Sequence, residues 1–217
     1  MHHIRLLCLA DSRKPGGHCI AGIDLTTGQW VRPVKNEHGG GLSSWDIQYN
    51  DGNVPKILDV IQVPVIKHSP LYYQPENWIV APATKWQKVG ENTIPQLKVY
   101  WQHDYPIFLD DSDRLTEEEC RNSSNLTSLI LIKLERLLID KQVNPWGNRD
   151  KIRAKFNYNG NFYDLAVTDI LWETKYLQTG ISYGIHTING PIYLTISLGE
   201  KFEVDGCHYK LVSGIIK

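Results

Sequence analysis

Ile152-Arg153-Ala154-Lys155-Phe156-Asn157-Tyr158, then Asn159-Gly160, then Phe162-Tyr163-Asp164-Leu165-Ala166-Val167 is the stretch that decides the fold. Apolar and polar side chains alternate along the first run, the period of a strand with one buried face. Asn-Gly between two such runs is a strong hairpin signal, because both residues accept the positive φ of a tight turn. Further along, residues 193–198 and 201–204 precede Asp205-Gly206 and another β-forming run at 207–216. Towards the N-terminus, residues 4–10, 19–25, 29–34 and 57–67 read as strands, with Thr26-Thr27-Gly28 turning the second into the third. The first three lie close enough together to form a meander. Pro64 removes a ladder donor from the fourth and marks an edge or a bulge.

These signals amount to four or five strands in each half, without the βαβ alternation of a parallel sheet. The expected class is mainly β: two packed OB-like β-barrels, each five-stranded and partly open, with one short helix in the connecting region. Prolines at 70, 75, 82, 95 and 106 break up the middle of the chain, and an acidic patch runs from Asp104 to Glu119. Within it Thr116 and Glu119 have capping-box spacing, with Leu115 and Cys120 placed as a hydrophobic staple. The division that follows is an N-terminal barrel over residues 1–110, a helical connector over 111–125 and a C-terminal barrel over 126–217.

Composition agrees with a packed core. The chain has 217 residues, 41% hydrophobic and 22% charged, which excludes a disordered tail and a heptad coiled coil. No apolar run approaches the roughly 20 residues of a spanning helix, and residues 1–10 lack a long apolar region followed by a cleavage site, so a cytoplasmic protein with no membrane role is expected. Cys8, Cys19, Cys120 and Cys207 are widely spaced, with no CxxC pair, and read as reduced thiols rather than zinc ligands. Lys and Arg number 23 against 24 Asp and Glu, a net charge of −1. That argues against coating duplex DNA by charge alone, and leaves room for a local basic patch.

Three constellations could carry chemistry. Ser12-Arg13-Lys14-Pro15-Gly16-Gly17-His18 places three potentially cationic side chains on a Gly-containing loop whose backbone N–H groups can face an anion. It has neither the P-loop nor the dinucleotide-binding spacing, and a solvated turn is the plain alternative. Trp30 and Arg32 are two apart on one strand and so share a face, an indole beside a guanidinium suited to stacking on a base and gripping its phosphate. A half-buried Trp covered by an Arg stem is the ordinary alternative. Between residues 133 and 155, Lys133, Arg136, Lys141, Arg149, Lys151, Arg153 and Lys155 face Glu135, Asp140 and Asp150, an excess of four positive charges. Trp146, Phe156 and Tyr158 are interleaved or adjacent, the mixture expected of single-strand binding on an OB-like surface.

Catalytic patterns are scarce. The histidines show no HxH or HExxH spacing, and His18 and Cys19, as neighbours on a strand, point to opposite faces and would not meet. Asp24 and Asp169 sit at strand ends where Mg²⁺ binding is conceivable, but no nuclease signature joins them. The expectation is no catalytic residue, no metal and no cofactor.

The stretch from Cys8 through Asp11-Ser12-Arg13-Lys14-Pro15-Gly16-Gly17-His18 to Ile23, followed by Gly28-Gln29-Trp30-Val31-Arg32-Pro33-Val34, resembles the start of the bacterial dual OB-containing domain family. So do Tyr49-Asn50-Asp51-Gly52 with Leu58-Asp59, Gln74-Pro75-Glu76-Asn77, the Phe156–Gly160 turn, Val167-Thr168-Asp169, Ser197-Leu198-Gly199-Glu200 and Tyr209-Lys210-Leu211-Val212. The resemblance implies two OB-like barrels, a nucleic-acid or nucleotide-binding role and a place in bacterial defence neighbourhoods, hence a protein partner in such a system. By position, its polar signature falls on Ser12, Arg13, Lys14, Trp30, Arg32, Asp169, Glu200 and Lys210. His18 stands where the family more often suggests an arginine.

The reading that joins these observations is a non-catalytic module for single-stranded nucleic acid or a strand end. Ser12, Arg13, Lys14, His18, Arg32 and Lys210 contact phosphates and Trp30 stacks on a base. Lys151, Arg153 and Lys155 form a secondary basic surface, and Asp169 and Glu200 line a polar pocket. The alternatives are a sensor for a nucleotide or other phosphorylated small molecule held between the barrels, a metal-dependent nuclease, and a scaffold with a protein partner. The oligomeric state stays open.

Overall fold

The alternation at the N-terminus becomes β1 (His2–Lys14), which runs antiparallel to β2 (Gly17–Asp24), itself antiparallel to β3 (Trp30–Val34). After α1 (Ser44–Ile47) come β4 (Asp59–His68), β5 (Asn77–Val80) and β6 (Gln87–Glu91). β5 lies between β3 and β4, parallel to β3, and β4 also pairs with β1, so five strands close in the order β1-β2-β3-β5-β4-β1 with β6 added outside β4. In this computed structural model residues 2–103, 106–145, 149–178 and 180–217 are described.

The handover within β1 explains how the barrel closes. Residues 2–7 pair with β4 and residues 6–14 with β2, with a bulge between Cys8 and Ala10 where one partner gives way to the other. A bulge adds local twist, which bends one strand across two neighbours. Gly22 opposes Cys8 at this point, and a Cβ there would lie only 1.9 Å from the Leu7 carbonyl oxygen. Inside, Leu6, Ile20, Val31, Ile61, Val63 and Trp86 share one buried cluster.

The second half repeats the plan. β8 (Leu129–Gln142), β9 (Lys151–Tyr158) and β10 (Asn161–Val167) form an antiparallel meander, α3 (Ile170–Leu177) follows, and β11 (Gly184–Lys201) and β12 (Cys207–Ile216) complete the order β8-β9-β10-β12-β11-β8. The third and fifth strands are again parallel, and the helix again lies between the third and fourth. Before this barrel come β7 (Arg114–Thr116) and α2 (Glu117–Asn122), and β7 pairs with the outer edge of β12.

The chain is therefore mainly β, as the alternation implies. It divides into two compact units, Met1–Tyr100 and Trp101–Lys217. Residues 111–125, read as a connector, supply β7 and α2 to the second unit because β12 offers β7 a free edge. α2 starts where the capping box places it: the Thr116 hydroxyl accepts from Glu119 N at 3.2 Å and the Glu119 carboxylate accepts from Thr116 N at 2.7 Å, with Leu115 and Cys120 both buried.

Two helices go beyond the one expected, α1 under a Ser43–Asp46 capping box and α3 under an Asp169 cap, and residues 94–99 form a 3₁₀ helix. β4 is no edge strand, since it has neighbours on both sides; its bulge falls just after Pro64, between Val65 and Lys67. None of the four cysteines is in a disulfide, and Cys8 and Cys120 are buried. Among the described residues no helix is long and apolar enough to cross a membrane.

Candidate nucleic-acid interface

The loop after β1 is a two-residue turn, Pro15-Gly16, whose flanks are pinned to the segment ahead of α1. His18 N donates to the Leu42 carbonyl at 2.7 Å, Leu42 N donates back at 2.9 Å, and Lys14 Nζ donates to the Gly39 carbonyl. Gly17, at φ +135°, is required here, because a Cβ would come within 2.2 Å of the Leu42 oxygen. Ser12 is thereby buried, Lys14 is engaged by protein backbone and Arg13 stays exposed. The His18 ring lies between Asp11 and Ser44: its Nδ1 is 2.8 Å from Asp11 Oδ1 and its Nε2 is 3.2 Å from Ser44 Oγ. The hydrogen bond to Asp11 raises the imidazole pKa above its ordinary value, against burial and the charge of Arg13.

Trp30 and Arg32 do share a face of β3. Val31 between them points into the barrel core, yet the opposite face is also covered, leaving Trp30 9% and Arg32 1% exposed. Arg32 registers with Asn77 of β5, and its backbone N donates to the Glu76 carbonyl at 2.9 Å. Asn77 is 0% exposed and its side-chain amide has no hydrogen-bond partner among the described residues. A Cβ on Gly39 would sit 3.4 Å from the Asn77 amide nitrogen and 3.6 Å from Gln74 Oε1. Arg32, Gln74, Asn77 and the Gly39 loop held by Lys14 thus form one buried polar cluster. Of the first constellation Lys14 alone reaches this cluster, through the Gly39 carbonyl, and the open stacking platform expected at Trp30 and Arg32 is not formed.

Lys210 is placed differently from the surface contact expected of it. Its side chain is 0% exposed, and Nζ donates to the Asp110 carbonyl at 2.6 Å and to the Asp110 carboxylate at 2.8 Å. Burial holds its pKa below the usual lysine value, with Asp110 pulling the other way. A buried ion pair is replaceable by apolar volume more cheaply than by leaving one charge behind. Lys210→Met removes the fully buried charge and leaves the Asp110 carboxylate, which at 37% exposure water can solvate, so the urea midpoint is expected to change little. Asp110→Ala should lower stability by about 1–2 kcal/mol, the carboxylate being 37% exposed.

Asp169 is a helix cap rather than part of a polar pocket. Buried at the start of α3, it accepts from Trp172 N at 3.0 Å through one oxygen and from Ile215 N at 2.9 Å through the other. Glu200 is exposed near the end of β11.

The basic hairpin is largely neutralised by its neighbours. Register sets Arg153 opposite Asp140 on one side, and Lys155 opposite Asp164 on the other. Arg153 Nε donates to Asp164 at 2.5 Å, and Lys155 Nζ lies 2.7 Å from Asp140 and 3.8 Å from Asp164. The Lys155 ammonium holds the Asp140 carboxyl below the usual carboxylate range. Lys141 donates to the Ile181 carbonyl at 2.9 Å, Lys133 lies 3.0 Å from Glu135, and Lys151 is exposed. Arg153 and Lys155 are thus partners of carboxylates instead of a bare basic surface. Trp146 lies outside the described residues.

On the same outer face, the first three strands of the second barrel border a cleft of about 560 Å³. Phe162 of β10, 59% exposed, lines it beside its cross-strand partner Asn157 of β9. Lys133 and Arg136 of β8 form another wall, and Trp101 and His103, ring centroids 3.7 Å apart, a third. Residues 101–103 are tied down through Gln102: its N donates to the Leu131 carbonyl at 2.8 Å, and the Tyr158 hydroxyl donates to its carbonyl at 3.2 Å. Lys133 and Arg136 belong to the basic group read from sequence. Trp101, His103 and Phe162 carry no sequence motif that singles them out. Among the described residues no group of three or more His, Cys, Asp or Glu is placed to hold a metal.

Comparison with curated proteins and with solved structures finds no match. A family model does match, over residues 4–215, and those limits take in both five-strand barrels with their parallel third and fifth strands; the chain belongs to the dual OB-containing domain family.

Proposed function

We propose that the chain is a binding module that takes single-stranded nucleic acid into the cleft of the second barrel. The observation that carries this reading is the meeting, in one cleft on the β8–β10 face, of the exposed Phe162 ring and the half-buried Trp101 against His103 with Arg136 and with Lys133, whose ammonium is shared with Glu135 on the same wall. Rings stack on the faces of unpaired bases and cations track the backbone, and this face is the one OB folds use for oligonucleotides. A net charge of −1 suits a footprint of a few nucleotides better than a long tract.

The test is fluorescence titration with oligonucleotides of increasing length and with a mononucleotide. Affinity should rise with length and fall with salt. Phe162→Ala should weaken binding about 5- to 100-fold, the range expected when one base loses its stacking ring. Lys133→Ala with Arg136→Ala should reduce the slope of log K against log salt by about 0.7 for each phosphate that is no longer neutralised. Affinity unchanged in these variants removes the cleft from the account. The cleft's volume is also in the range of small-ligand pockets, so saturation by the mononucleotide with no gain from length selects the nucleotide-sensor reading.

A further inference from the structure

The tip of the β1–β2 hairpin holds a second arrangement of polar groups, in the other unit and independent of the cleft. Asp11 and Arg13 alternate along β1 and share a face, and register puts His18 opposite Arg13. Asp11 reaches His18 along the diagonal of the ladder, Nδ1 donating to Oδ1 at 2.8 Å. That bond fixes the tautomer: with the proton on Nδ1, the lone pair of Nε2 is aimed at Ser44 Oγ, 3.2 Å away. The Asp11 and His18 side chains are 18% and 17% exposed, whereas Ser44 is open to solvent. Anchoring the loop does not require these bonds, since the reciprocal His18–Leu42 backbone pair and the Lys14–Gly39 hydrogen bond already do so.

The geometry points to a hydrolytic site acting on carboxylic esters, with Ser44 as nucleophile, His18 as general base and then general acid, and Asp11 as the positioning residue. In the first step Ser44 Oγ bonds to the ester carbonyl carbon while its proton passes to His18 Nε2 and the carbonyl π pair moves onto oxygen. Arg13, on the same face as His18, supplies positive charge beside that developing oxyanion. Collapse breaks the bond to the alkoxide, which leaves as the alcohol with the proton from Nε2. Water, deprotonated by His18, then cleaves acyl-Ser44, so that ester and water give acid and alcohol with the protein unchanged.

Incubation of the full chain with a fluorophosphonate probe should label Ser44, forming an Oγ–P bond with release of fluoride, and p-nitrophenyl acetate should be hydrolysed. Ser44→Ala, at an exposed position, should abolish both and leave the circular dichroism spectrum unchanged. His18→Gln should cut both by about 100-fold or more. The neutral imidazole is the active base, so hydrolysis should rise with pH through the raised His18 pKa. Asp11→Asn removes the cause of the raise and should move that limb to lower pH while lowering the plateau, a shift that loss of a loop anchor would not produce. Wild-type protein that neither labels nor hydrolyses the ester, or Ser44→Ala that does both normally, overturns the assignment. Oligonucleotide binding at the other unit's cleft is read separately, and its presence or absence does not bear on this result.

Discussion

Gly22→Ala is expected to prevent the first barrel from closing. An alanine Cβ at this position would lie 1.9 Å from the Leu7 carbonyl oxygen and 2.8 Å from its carbon. Both are backbone atoms, so no rotamer change relieves the clash. They belong to β1 where it passes from β4 to β2, beside the Cys8–Ala10 bulge. Moving them breaks ladder bonds to both neighbours, which places the cost above the usual 1–3 kcal/mol of overpacking and at about 4 kcal/mol or more. That is a large share of the roughly 5–15 kcal/mol that holds a native protein together. Urea unfolding followed by tryptophan fluorescence measures it. Gly28→Ala is the control: its φ of +73° makes a side chain unfavourable, but nothing lies within 4 Å, so about 1 kcal/mol is expected. Equal losses in the two variants would show that close approach is not what requires glycine at position 22.

Asp169→Ala should have the next largest effect, a loss of about 3 kcal/mol. Roughly 1 kcal/mol belongs to the cap of α3 and about 1–3 kcal/mol to the buried Ile215 N–H left without its acceptor. The same carboxylate joins the start of α3 to β12, alongside the Trp172 indole, whose N–H donates to the Ile215 carbonyl at 3.0 Å. Asp169→Asn keeps one oxygen and should fall between the wild type and the alanine variant, because it can still cap the helix but not satisfy both N–H groups. An alanine variant as stable as the wild type would leave the carboxylate without a structural role.

Local signals are the legible ones. The Asn159-Gly160 turn forms as its residues imply, with Asn159 at φ 49° and Gly160 at φ 89°, and Thr116 caps α2 as its spacing implies. α1 carries a comparable signal, Ser43 and Asp46 at capping-box spacing, but a helix of only four residues has no apolar period to accompany it. Asp169 stands out for its chemistry, yet its place before Ile170-Leu171-Trp172, where an Asp is a common cap, is what decides its role. A charge count over residues 133–155 stops short of Asp164, which folds back across the turn to meet Arg153 and Lys155. Burial of Trp30 and Arg32 is illegible for another reason: alternation assigns residues to faces, but whether the second face is covered depends on tertiary structure. The Asp11–His18–Ser44 line likewise requires strand register and loop docking, neither of which spacing reveals.

The parallel junctions that complete the two barrels carry a consequence for how the chain folds. One has three residue pairs, Arg32–Asn77 to Val34–Ile79, and the other two, Ala166–Leu211 and Val167–Val212. Residues 32 and 77, and residues 166 and 211, are separated by the same length of chain, far more than any hairpin in either barrel. Loop-closure entropy must be met before so short a ladder gives any return, so these junctions form late, after the meanders. Until they do, the free edges of β3 and β5, and of β10 and β12, can accept the corresponding strand of another copy. Refolding at high concentration thus sets intramolecular sealing against strand exchange between molecules.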